Sequence, residues 1–178
     1  MPFTLAYNAL FAKPLLNQCI AIIQRDQAAA ISIVNSALAP INEFHKGPGI
    51  RTALPWLTLV VDSTAFDRAA EVFTRHHTSR VSLALDVGQF DQEMAQDNAQ
   101  DYARVLDVVI TTASTADWQT VLPITHETVP SGTTTPPAAG AVKEVFVESH
   151  AYGLVNLPTI DAPVLRVTLA IRFELEET

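Results

Sequence analysis

The chain has 178 residues, with 11 lysines and arginines against 19 aspartates and glutamates, for a net charge of −8. Hydrophobic residues make up 48% and charged residues 17%, which excludes disorder and gives a single domain over 1–178 enough apolar material for its own core without disulfides or a structural metal. The negative balance repels phosphate backbones and excludes nucleic acid as a main partner, and the arginines are scattered rather than clustered.

The segment from Met1 to Ala12 has no basic region ahead of its apolar residues, so it is not a secretory signal. No apolar run reaches the ~20 residues of a membrane helix. Pro14 is read as opening a long helix and Pro40 as stopping it, with Leu16, Ile20, Ile23, Ala30, Ile31, Val34 and Leu38 at helical spacing. Cys19, the single cysteine, lies on that apolar face and is expected to be a small core hydrophobe; alone it forms neither an intramolecular disulfide nor a cysteine zinc site. Ile41 to Ala53, with Gly47-Pro48-Gly49, is expected to be a connection. Trp56 to Val61 is an apolar, β-branched run that suits a strand covered on both faces.

Ser63 to Arg80 admits two readings. Phe66, Ala69, Ala70 and Phe73 have helical spacing, with Thr64 and Asp67 as a capping pair, and a wide β-connection fits equally. Val81, Leu83, Leu85 and Val87 alternate with Ser82, Ala84 and Asp86 as a half-buried strand does. From Asp91 to Ile110 a second amphipathic helix is expected, with Asp91 and Glu93 in its first turn, where the dipole favours acids. Its apolar face comprises Ala95, Ala99, Tyr102, Ala103, Leu106, Val109 and Ile110. The Pro-, Thr- and Gly-rich stretch at about 123–142 is expected to be a flexible, projecting loop. Glu144 to His150 is expected to be a strand. In Leu165 to Glu176, Leu165, Val167, Leu169, Ile171, Phe173 and Leu175 alternate with Arg166, Thr168, Arg172, Glu174 and Glu176, the strongest strand pattern in the chain.

This order predicts an α+β fold: one mixed, mainly antiparallel sheet with two long amphipathic helices packed on one face. Chemistry is sparse. The chain has no phosphate loop, no nucleophile elbow and no H-E-x-x-H. His76 and His77 are adjacent, so on a strand or a helix they point apart and cannot share a metal. His126-Glu127 and Glu148-Ser149-His150 flank the loop and are expected to be exposed polar residues. Asp62 and Asp86 each close a strand. Parallel neighbours would bring the two carboxylates together as a divalent-cation site for phosphoryl chemistry; antiparallel pairing would put them at opposite ends. A small-ligand module beneath the Pro/Thr-rich loop is a further alternative.

The layout resembles the tail-terminator and tail-completion (head–tail joining) proteins of long-tailed phages. The resemblance rests on the N-terminal amphipathic helix ending at Leu38 and the strand Leu54-Pro55-Trp56 to Val61. It continues through Arg80 to Val87 running into the helix Asp91 to Ile110, and Tyr152-Gly153 ahead of the final strand. It implies a non-enzymatic structural protein without cofactor, catalytic or metal residues, belonging to a phage or prophage. The implied partners are further copies of itself in a ring, commonly hexameric, together with tail-tube and head-connector proteins. The implied location is the virion, assembled in the host cytoplasm. Arg166, Arg172, Glu174 and Glu176 on the outward side of the last strand would then offer both charge signs to a neighbouring subunit.

Overall fold

A computed structural model describes residues 8–47, 53–66, 75–88, 92–113, 117–118, 140–157, 160 and 164–177. Helix α1 spans Asn8–Val34, strand β1 Glu43–Lys46, β2 Trp56–Phe66, β3 Arg75–Val87, helix α2 Gln92–Thr112, β4 Gly140–Val155 and β5 Val164–Glu177. The five strands form one sheet in the order β1-β2-β3-β5-β4, parallel only between β1 and β2. Helix α2 lies over β3, β4 and β5, while α1 lies against α2 and β2. The expected α+β class, with two long helices on a mainly antiparallel sheet, is the observed architecture.

The core is the oily side of each element meeting the others. Leu15, Cys19, Ile22 and Ile23 of α1 are buried, as are Ala99, Tyr102, Ala103, Leu106 and Ile110 of α2. Beneath them lie Leu57, Leu59, Val81, Leu83 and Leu85, and every second residue of β5 from Val167 to Leu175. Each fully buried leucine or isoleucine contributes about 1.5–3 kcal/mol of transfer free energy. Trp118 closes one end, its ring edge-on to Phe173 at 5.3 Å and 64°.

Several boundaries differ from the sequence reading. Helix α1 begins at Asn8, ahead of Pro14, and ends at Val34 before Pro40 is reached. The stop is set by Asn35, whose Oδ1 accepts from the Ala37 amide at 3.0 Å, as Asn side chains do in turns. Asn35 also donates from Nδ2 to Asp101 on α2 at 2.7 Å. Buried Gln27 then fixes the exit chain, donating to the Ile41 carbonyl at 3.0 Å and accepting from the Ile41 amide at 2.9 Å. Tyr102 donates to the Ala39 carbonyl at 2.6 Å from α2.

Residues 43–46, expected within a connection, pair with β2 as a short parallel edge strand. Gly47 follows at φ +83°, a conformation that favours glycine, while Pro48 and Gly49 of the expected turn lie outside the described residues. The stretch 63–80, expected as a short helix or a wide β-connection, is strand wherever it is described: β2 runs on to Phe66 and β3 starts at Arg75. Thr64 therefore caps no helix; its hydroxyl shares a hydrogen bond with Ser79 across the ladder at 3.2 Å. The helical positions Ala69, Ala70 and Phe73 lie outside the described residues. Strand β2 is buried on both faces only as far as Leu59, and Val60 is exposed. The stretch 123–139 lies outside the described residues, but 140–142 are not loop: β4 begins at Gly140. It also continues past His150, so Tyr152-Gly153, which precedes the final strand as expected, stands inside β4.

Candidate functional site

With both helices on one side, the other side of the sheet presents the alternate residues of each strand. Arg166, Thr168, Arg172, Glu174 and Glu176 of β5 stand there, opposite Asp86, Ala84, Arg80, Thr78 and His76 of β3. This face carries a lattice of ion pairs. Arg80 reaches Glu148 at 3.2 Å, and Arg172 approaches Glu148 at 3.6 Å and Glu174 at 3.7 Å. The Arg172 guanidinium also sits over the Phe146 ring, 4.5 Å from its centre. Lys143 pairs with Glu176 at 2.9 Å. Such exposed pairs contribute about 0–1 kcal/mol each, so they shape the surface's charge pattern more than they hold the fold.

Arg166 differs from the other three expected contact residues. Its Nε and one terminal nitrogen donate to Asp86 at 2.6 and 2.8 Å, and the Trp56 indole nitrogen donates to the same carboxylate at 2.5 Å. Asp86 is wholly buried, and the hydrogen bond to it raises the pKa of Arg166 further. One carboxylate thus ties β2, β3 and β5 together at one end of the sheet. The sequence reading took Asp86 as a candidate ligand and missed this role. The alternation does place Arg166 on the polar face, but only the register shows that it stands directly opposite Asp86.

The cation site on Asp62 and Asp86 is overturned. Strands β2 and β3 run antiparallel, with Asp86 opposite Trp56 at the start of β2 and Asp62 at a register shift beyond Val61. Asp62 accepts from the Ser82 hydroxyl instead. Among the described residues no three His, Cys, Asp or Glu side chains cluster as a metal site requires. His76 is exposed and His77 buried, on opposite faces of β3 as a strand demands. Cys19 is fully buried, and burial pushes its thiol up to about 12, far from nucleophilic behaviour. His126 and Glu127 lie outside the described residues, as does the loop over the alternative small-ligand site. No helix among the described residues is long and apolar enough to cross a membrane.

Beside this face lies the open edge of β4. On the helix side of the sheet an open groove is lined by Asp107 and Thr111 of α2 and by Val145, Val147 and His150 of β4. Tyr152 is 46% and Leu154 60% exposed, the two most exposed large hydrophobic side chains among the described residues of the sheet. Sequence reasoning missed both, because their strand had been ended at His150.

No protein-family model matches the chain. No curated protein matches it either. Among solved structures, the chain is similar to a protein in the virion of a native gene transfer agent particle. The two share 11% sequence identity and a TM-score of 0.52, over 96% of this chain and 99% of that one.

Proposed function

We propose that this chain is a non-enzymatic structural protein of a phage or prophage particle, acting as a tail terminator or head–tail joining protein that assembles as a ring at the tail end. The observation that carries this reading is the shared fold with a chain of a gene transfer agent virion along nearly the whole length of both proteins. The element order supports it. A helix, a strand pair, a second long helix and a C-terminal hairpin follow the layout by which the sequence resembles tail terminators.

The surface suits such a role. A ring interface is heterologous, so two different patches of one subunit must complement each other. The outward sheet face supplies both charge signs through Arg172, Glu174 and Glu176, with Arg80 and Glu148 beside them. Arg166 contributes less, since its Nε and one terminal nitrogen already donate to Asp86. The partners are other copies of the chain, the tail tube and the head connector, and the place of action is the virion.

Light scattering after size-exclusion chromatography, with negative-stain imaging and a pull-down against isolated tail tubes, tests the reading. The expected result is a closed ring in solution or on tube addition. A protein that stays monomeric at high concentration and ignores tail tubes refutes it.

A further inference from the structure

Building on the ring reading, we infer that subunits join by edge-to-edge strand pairing, the β4 edge of one copy receiving the β1 edge of the next. Natural sheets protect long edges with bulges, prolines or charges. The first half of β4 is protected in this way, with register shifts at Lys143 and Glu148. The second half is not. From Ser149 to Val155 the pairing with β5 is unbroken, and the sequence Ser-His-Ala-Tyr-Gly-Leu-Val holds no proline, lysine, arginine or carboxylate. Every residue from Ser149 to Leu154 is exposed, Tyr152 and Leu154 included. Such a segment is a template for an incoming strand.

The occupant follows from sheet direction and charge. Strand β1 runs with β2, against β3, with β5 and against β4, so the two outermost strands are antiparallel to one another. A second copy set beside the first with the same orientation therefore brings β1 against β4 as an antiparallel pair, continuing the sheet across the boundary. The contact is heterologous and repeats around a ring, whereas two β4 edges meeting would stop at a dimer. Charge permits it. A chain of net charge −8 repels its own copies, but Ser149–Val155 is neutral, and Glu43 and Lys46 of β1 cancel. Among the described residues no strand lies beyond either edge.

The test uses the full chain with Tyr152→Lys and Leu154→Lys together, and Ile33→Lys on the exposed side of α1 as control, since Ile33 is 79% exposed. Circular dichroism checks the fold, and light scattering reads the mass. The expected result is a folded monomer for the edge variant, at least a tenfold weaker association, and an unchanged ring for the control. A second experiment introduces His45→Cys with Ala151→Cys; native Cys19 is buried and does not interfere. Mild oxidation is expected to give a ladder of cross-linked multimers only when both cysteines are present. If the ring persists in the edge variant, or Ala151→Cys alone cross-links into dimers, the edge pairing is overturned while the ring reading stands. A wild-type protein that never leaves the monomeric state overturns both.

Discussion

Removing the Asp86 carboxylate tests whether that one group locks three strands. In Asp86→Ala, Arg166 loses a bidentate partner at 2.6 and 2.8 Å and the Trp56 indole loses an acceptor at 2.5 Å. Breaking one partner out of a buried ion pair costs about 3–5 kcal/mol. The Arg166 side chain is 29% exposed, so water takes back part of its solvation, and the expected loss is about 2–4 kcal/mol. The reverse change, Arg166→Ala, strips the bidentate cation from a carboxylate that is 0% exposed, and the full cost of about 3–5 kcal/mol is expected. The double variant should be less unstable than the sum of the singles, with a coupling of about 1–3 kcal/mol. Urea unfolding followed by circular dichroism measures all three. In a chain of this length a loss of 3 kcal/mol lowers Tm by roughly 6–12 °C. A loss below about 1 kcal/mol for Asp86→Ala, or strict additivity in the cycle, refutes the lock.

Two further outcomes follow from buried groups. Gln27→Ala leaves the amide and carbonyl of buried Ile41 without their side-chain partners, so a loss of about 1–3 kcal/mol is expected in the same urea experiment, with Gln27→Glu unable to restore both bonds. The Cys19 thiol should resist alkylation in the native state at pH 8 and react at once in urea. Burial favours the neutral thiol, which is raised to about 12 in the fold. Its contribution to stability is therefore intact below the thiol's ordinary pKa of about 8.5 and is lost as pH rises toward about 12. Replacing Cys19 by alanine should flatten that part of an alkaline stability profile.

Local pattern determined a good deal of this molecule. The period-two run of β5 and the 3.6-residue period of α2 are signals internal to one segment, and all the expected apolar positions of α2 are buried. A single cysteine on an oily helix face is core whatever surrounds it. The α+β class followed from those periods and their order. Other features arise between segments distant in sequence. β1 exists because four residues pair with β2, and no periodicity of its own announces it. Asn35 ends α1 ahead of Pro40 through a side-chain bond whose partner depends on the turn. The direction of β2 against β3 separated Asp62 from Asp86, and the register of β3 against β5 set Asp86 across from Arg166. A carboxylate on a strand has the same chemistry in every sequence; whether it holds a cation, an arginine or water is decided by which strand the fold lays beside it.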